Sequence, residues 1–301
     1  MSGRVAITGA SGQLGRLVAE RVLAQRVPGD VILATRSPNA LSDFAARGVE
    51  IRHADFDEPD SLRDALVGAD RMLLISATDL ERRVAQHRAA IAAAEAAGVR
   101  RVIYTSGSMP EPPNPAAVAP SHYATEEALA ASGLGWTVLR NSLYADYQLH
   151  EALQAIEAGV LAHNRGAGRV AYVARDDCTA AAAAVLLQDG HDGAVYDITG
   201  AESVDAAALA SLYGDLGGKP VALRPIDDAT FVAGLVGGST DGHLRYGAEL
   251  LASFGRAIRE GFLDVRSDAV TKLTGRTPRT LRDVLEPHVR GASAARGSQS
   301  S

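Results

Sequence analysis

A single cysteine, Cys178, stands in 301 residues, so no intrachain disulfide can form and thiolates cannot build a zinc site. Long apolar runs are missing too: no stretch approaches the run of about twenty apolar residues needed to span a bilayer. The first strand-like run starts within a few residues of Met1, which leaves no room for an expected signal peptide. Basic excess is absent. Lys and Arg number 30 against 36 Asp and Glu, for a net charge of −6, which argues against nucleic acid or a membrane surface as the main partner. His-Glu-x-x-His, Gly-x-Ser-x-Gly and a Walker lysine are also lacking, so metal hydrolase, serine hydrolase and nucleoside triphosphatase readings fall and no metal is expected. What remains, at 47% hydrophobic and 22% charged, is an ordinary globular composition. It reads as a soluble protein of a reducing, cytoplasmic compartment, monomeric or homodimeric.

The most informative stretch present is Thr8-Gly9-Ala10-Ser11-Gly12-Gln13-Leu14-Gly15. It follows the apolar run Val5-Ala6-Ile7 and leads into 17–24, whose apolar spacing is helical. Strand, glycine turn and helix N-terminus in that order form a phosphate cradle. The first glycine allows the turn, the second lets backbone approach a pyrophosphate, and the third lets the helix pack on the sheet. Free N–H groups and the positive end of the helix dipole then hold the anion.

Short apolar runs recur at 31–34, 49–54, 72–75, 101–105 and 136–140, with helical stretches at 40–47, 59–67, 81–97 and 124–131 between them. Such runs fit strands buried on both faces, and the alternation implies right-handed crossovers in a parallel sheet. Five prolines from Pro110 to Pro120 exclude a regular element there; the segment is a lid over a cleft or a surface loop. Strands at 170–173 and 195–198, with helices at 178–187 and 205–216, read as a smaller lobe. The expected fold is α/β: a Rossmann-type, doubly wound parallel sheet over 1–145, then a smaller C-terminal α/β substrate lobe over 146–290, some of whose elements may return to the main sheet. The small polar stretch 291–301 is expected to be a disordered tail.

Arg36 follows the second strand, where an NAD site places a carboxylate for the ribose 2′-hydroxyl. A guanidinium there pairs instead with a 2′-phosphate, so NADPH is favoured and NADH, though possible, is disfavoured. A solvated strand-end residue is the alternative. Asp55, past the third strand, either contacts the adenine or serves a loop or helix cap. His122 can hydrogen-bond a substrate carbonyl, donate a proton, or cap the helix starting near Thr125. Asn141 orients substrate or satisfies backbone groups after the sixth strand. Cys178 is expected to be a small buried residue.

The motifs TGASGQLG at 8–15, ATRSP at 34–38, ADFDEPDSL at 54–62 and LLISA at 73–77 resemble the NmrA-like branch of atypical short-chain dehydrogenases. QHRAAIAAAEAAGVRRVIYTS at 86–106 and HYATEEALAASGLGWTVLRNSLYAD at 122–146 are more specific, and the similarity runs on to LTGRTPRTLRDVLEPH at 273–288. Within the branch the chain is most similar to bacterial NADPH-dependent quinone oxidoreductases of the second type, with triphenylmethane reductase a relative. The resemblance implies that Gly9, Gly12, Gln13, Leu14 and Gly15 line the pyrophosphate and that Arg36 takes the 2′-phosphate. Ser76 and Ala77 would border the nicotinamide-side ribose, and Thr105, Ser106 and Gly107 would lead into the reaction cleft. Asn141 and Tyr144 would sit near the nicotinamide and the substrate.

Two departures stand out. Most short-chain dehydrogenases pair a Tyr with a Lys four residues later; here Tyr123 is followed by Glu127, which would raise the phenol pKa. Quinone reductases of the branch also lack the tyrosine but often carry Lys at that second place. The family's Asn-Gly-Trp-Tyr reads Asn141-Ser142-Leu143-Tyr144, a smaller aromatic wall. A quinone needs no strong acid, because its reduced product is an aromatic hydroquinone anion that takes a proton from water. The sequence therefore reads as an NADPH-dependent reductase of quinones or similar electrophilic small molecules. The alternatives are a dinucleotide-binding redox sensor without turnover, or a biosynthetic ketoreductase or isomerase using Tyr123 or His122 as acid.

Overall fold

The structure, a computed structural model, describes the backbone of residues 3–298 and side chains as far as residue 291. Seven strands form one parallel sheet. They are β1 (Arg4–Thr8), β2 (Val31–Thr35), β3 (Glu50–His53), β4 (Ala69–Leu74), β5 (Arg101–Gly107), β6 (Gly135–Asn141) and β8 (Ala194–Ile198). Their order across the sheet is β3-β2-β1-β4-β5-β6-β8. The direction of strand addition reverses between β1 and β4, and the crevice beyond the C-terminal ends of those two strands is where open α/β sheets bind ligands.

Period-two alternation decides which face each residue covers. Ile7, Leu33, Leu73, Ile103 and Leu139 point one way, into a core closed by helices Gln13–Leu23, Arg175–Leu187 and Ala269–Thr274. Ala6, Ile32, Met72, Val102, Tyr104 and Val138 point the other way, under helices Pro59–Leu66, Arg83–Ala96 and Ala119–Ala130. Each fully buried Leu or Ile here contributes about 2 kcal/mol of apolar transfer. That burial is why a strand such as β2, buried at all five positions, tolerates no polar side.

Beyond residue 146 the chain leaves the sheet and returns. Helix Gln148–Ala158, β7 (Val160–His163), helix Ala206–Gly217 and β9 (Ala222–Pro225) build a lobe around a third core, with β7 and β9 as a two-stranded parallel sheet. Helices Asp228–Val236, Gly242–Arg259 and Leu281–Ser298 complete it. Helix Arg175–Leu187 and β8, however, belong to the large sheet, where β8 pairs with β6. The lobe is therefore not one contiguous piece of chain.

Three expectations need correction. The run 170–173 is not a strand: its N–H groups bond one by one to Val204, Leu263 and Leu143, three separate segments, and only isolated bridges form. The helix expected from 124 starts at Ala119, with Pro120 in its first turn, where a missing N–H costs nothing. The segment 291–298, expected to be disordered, continues helix Leu281–Ser298, its alanines and arginine favouring helix despite Gly291 and Gly297. Residues 299–301 of that tail lie outside the described residues.

Candidate active site

At the C-terminal end of β1 the chain turns through Gly9, whose φ of +62° suits glycine, and Gly12 N–H bonds back to Gly9 O at 3.0 Å. Gly12 caps helix Gln13–Leu23 with no side chain accepting from its first turn, so those N–H groups stay available to an anion. A Cβ on Gly15 would stand 2.4 Å from Gly9 O and 2.7 Å from Ala10 Cα; only glycine lets the helix approach the turn this closely. Ser11 Oγ and Thr35 Oγ1 share a hydrogen bond of 2.8 Å, tying the turn to β2.

A cavity of about 660 Å³ opens over this turn. The residues expected to hold cofactor or substrate line it: Gly9, Ser11 and 12–15 of the glycine turn, Arg36, Asp55, Ser76, Ala77, 105–107, His122, Asn141 and Tyr144. Arg36 is exposed at its edge and has no ion-pair or hydrogen-bond partner among the described residues. Asp55 does loop duty as well, since its Oδ1 accepts from Asp57 N and its N–H donates to Ser61 Oγ. Thr105 Oγ1 accepts from Ser76 N at 3.0 Å, and Ser106 Oγ donates to Glu126 at 2.6 Å, so these hydroxyls hold loops and helix in place. Gly107 leaves room for the imidazole of His122, 3.2 Å from where a Cβ would be.

The far end is closed by the proline-rich segment and the lobe. Ser108, Pro110, Asn114 and Ala116 line the cavity opposite Phe254 and Leu263. Asn114 braces this wall, donating to Met109 O at 2.8 Å and accepting from Ala116 N at 2.9 Å, while Ala117 N donates to Ser253 Oγ of helix Gly242–Arg259. Tyr144 Oη accepts from Asn141 Nδ2 at 3.2 Å, and burial pushes its phenol well above the ordinary value. The guanidinium of Arg175 lies 5.5 Å from the Tyr144 ring centroid and 5.2 Å from that of Tyr147, a cation–π arrangement.

His122 sits within helix Ala119–Ala130, not at its cap. Burial, with Arg83 beside it, pushes its pKa down to about 3. Both ring nitrogens have partners: Nδ1 faces Tyr104 Oη at 2.8 Å and Nε2 faces Arg83 Nη1 at 3.4 Å. Tyr123 lies outside the cavity, and its hydrogen bond with Glu127 raises the phenol pKa, as the spacing predicts. Cys178 is buried, with its thiol pushed well up.

Sequence reasoning missed Arg83, Gln86 and Phe56, all on the cavity wall. Gln86 Oε1, near Asp57, and Asn141 Oδ1, beside Tyr144, are buried with no hydrogen-bond partner among the described residues. Buried acceptors rarely stay unpaired, so both suit donors on a bound molecule. The side-chain-free helix start, the close-packed Gly15, unpartnered Arg36 and these two acceptors together fit a dinucleotide with a 2′-phosphate.

Fold and site together define a dinucleotide-binding α/β protein of the short-chain dehydrogenase type. The family model described as NAD(P)H-binding matches residues 9–189, and the chain belongs to that family. Its NmrA-like character is borne out by an NmrA-like family domain-containing oxidoreductase of Aspergillus flavus, 30% identical over 94% of each chain. Quinone oxidoreductase 2 of Escherichia coli is 36% identical over 93% of this chain and 96% of its own. The structure of the E. coli NADPH-dependent quinone oxidoreductase in complex with NADPH superposes with a TM-score of 0.88 at 34% identity, covering 96% of this chain and 99% of the other. Triphenylmethane reductase of Citrobacter sp. in complex with NADP(H) gives a TM-score of 0.86 at 32% identity, covering 93% and 98%.

Proposed function

We propose that this chain is an NADPH-dependent reductase of quinones or similar electrophilic acceptors, working in the cytoplasm. The observation that carries the reading is the contrast between the two ends of the cavity. One end offers unsatisfied backbone donors and unpartnered Arg36, suited to phosphates. The other offers no group ready to exchange a proton near neutrality, since His122 is held neutral and the Tyr144 phenol is held protonated. NADPH, when bound, supplies a hydride equivalent. The chain's part is to bind and orient: backbone N–H groups at 13–15 hold pyrophosphate, Arg36 takes the 2′-phosphate, and Asn141 and Gln86 offer their free oxygens to amide or amino donors. Asp55 borders the adenine end. Ser76, Ala77 and the end of β5 at 105–107 form the floor, and the proline-rich wall with Phe254 and Leu263 excludes water from the reacting pair.

Without an acid in place, a ketone would have to leave as a high-energy alkoxide. A quinone yields a stabilised anion instead, and its reduction suits this cavity. The relatives named for quinone and dye reduction support the same class of acceptor. Steady-state oxidation of NADPH and NADH with a panel of quinones, cationic dyes and plain ketones tests the reading. Turnover of quinones with NADPH is expected. Rapid turnover confined to ketones would overturn it, and binding of NADPH without turnover on any acceptor would make the chain a redox sensor.

A further inference from the structure

Arg83 opens helix Arg83–Ala96, lines the cavity and is only 6% exposed. It forms no salt bridge among the described residues. Asp79, the carboxylate whose charge it feels, is engaged with Arg82 at 2.7 Å. A buried guanidinium without a counter-ion is costly, and such a cost usually persists because a ligand meets the charge. Three of its five donors are used: Nε–H to Ala77 O at 2.6 Å, and Nη1 to Ser121 Oγ at 3.2 Å and His122 Nε2 at 3.4 Å. The two Nη2 donors have no hydrogen-bond partner among the described residues.

The donors in use belong to a closed ring whose protons can be placed. Arginine only donates, so His122 Nε2 accepts and its proton sits on Nδ1, donating to Tyr104 Oη at 2.8 Å. Thr125 Oγ1 donates to Ser121 O at 2.8 Å, so it accepts from His87 Nδ1 at 2.9 Å, and Ser121, whose hydroxyl accepts from Arg83, closes the ring. His87 Nε2 then accepts from Ala77 N–H at 3.0 Å, and Ala77 O receives Arg83 Nε–H. The ring fixes the guanidinium plane and keeps both imidazoles neutral. Tyr104, Tyr246 and Asp79 are the remaining ionisable groups felt by Arg83, and none is a carboxylate in contact with it.

We propose that the free Nη2 edge of Arg83 receives the oxygen of the acceptor, so that the site selects neutral quinones, which become anions on reduction, over cationic dyes. This rests on the quinone-reductase reading. A dihydronicotinamide gives up one C–H bond as hydride and becomes a pyridinium. The quinone gains that hydrogen with both electrons and becomes a hydroquinone monoanion, and a proton from water completes the hydroquinone. Negative charge gathers on oxygen, where the guanidinium stabilises it. A cationic triarylmethane dye takes the same hydride to a neutral product, so the guanidinium gives it no such help and opposes its binding. His122, Tyr104, Thr125 and His87 are positioning residues for Arg83.

The test uses Arg83→Gln, which removes the charge, and Arg83→Lys, which keeps it but loses the fork. The first readout needs no turnover: binding of 2-hydroxy-1,4-naphthoquinone, an anion at neutral pH, to the NADP⁺-loaded protein. Arg83→Gln is expected to weaken it at least about 10-fold and Arg83→Lys less, with NADPH affinity unchanged. In turnover, kcat/KM for 1,4-naphthoquinone should fall roughly 100-fold in Arg83→Gln, while that for malachite green holds or rises. Equal losses for quinone and dye, or unchanged anion binding, would reduce Arg83 to a strut between helices. Lost NADPH affinity would assign it to the cofactor. If Arg83→Gln does not fold, Arg83→Lys, which keeps the charge, should weaken anion binding through loss of the fork alone and leave dye turnover unchanged, and equal losses for both would overturn the proposal. Should the wild-type protein reduce no quinone, the function reading fails, while anion binding still decides the role of Arg83.

Discussion

The hydrogen-bonded ring beneath the cavity has a consequence for acid stability. Burial and the charge of Arg83 lower the pKa of both His87 and His122 to about 3. Unfolded, each imidazole titrates at about 6.5. Between these values the unfolded chain binds the extra protons, so the stabilisation is complete above about pH 6.5 and is lost as the pH falls. At pH 5 each histidine costs about 2 kcal/mol, and the pair about 4 kcal/mol, a figure that holds for any folded value below about 4. With an unfolding entropy of about 2.1 cal/mol/K per residue, that is a fall in Tm of about 6 °C for a chain this long. Burial also lowers His163 and His191, which add in the same direction, while it raises Asp177 and Asp197, which oppose it. Thermal melts followed by fluorescence of the single tryptophan, Trp136, at pH 7 and pH 5 measure the drop. The double variant His87→Gln with His122→Gln should start less stable yet lose much less between the two pH values. An equal drop in the variant and the parent would refute the neutral, buried pair.

Other predictions concern the cofactor end and the phenol. Arg36→Ala should weaken NADPH roughly 10- to 100-fold by equilibrium titration, the worth of one charge-assisted pair, and leave NADH nearly unchanged. Gly15→Ala forces a Cβ against Gly9 O and Ala10 Cα, backbone that cannot step aside, and should cost about 2–3 kcal/mol in urea unfolding as well as NADPH affinity. Tyr144→Phe removes only the acceptor for Asn141 Nδ2; quinone turnover should persist within about 10-fold, since a phenol held this far above neutrality donates no proton.

The geometry of the glycine turn and the place of Arg36 at the cavity edge were legible in the sequence because both are local: a strand end, a turn and a helix start fix them. The all-buried strands were legible for the same reason, as a run like Val31 to Ala34 has no polar side to misplace. Arg83 was not legible. Its meaning depends on helix Ala119–Ala130 bringing Ser121 and His122 against it across 38 and 39 residues of chain. On its own helix it looks like one more arginine after Arg82. The run 170–173 misled because apolar β-branched residues suit a strand, yet here they serve three neighbouring segments in turn. β8 carries its membership of the large sheet only in its pairing with β6, and half-buried residues such as Tyr196 and Asp197 hide it. Glu127 behind Tyr123, noted against the Tyr–Lys pair of short-chain dehydrogenases, raises the phenol pKa as that departure implied.

Direct hydride delivery from NADPH to a quinone is the central claim, and a single-turnover mixing experiment tests it most directly. Protein loaded with one equivalent of NADPH, mixed without oxygen with 1,4-naphthoquinone, should consume one NADPH per hydroquinone formed. Replacing the transferred hydrogen at nicotinamide C4 by deuterium should slow that step. NADPH that stays intact on the protein in the presence of quinone would contradict the account.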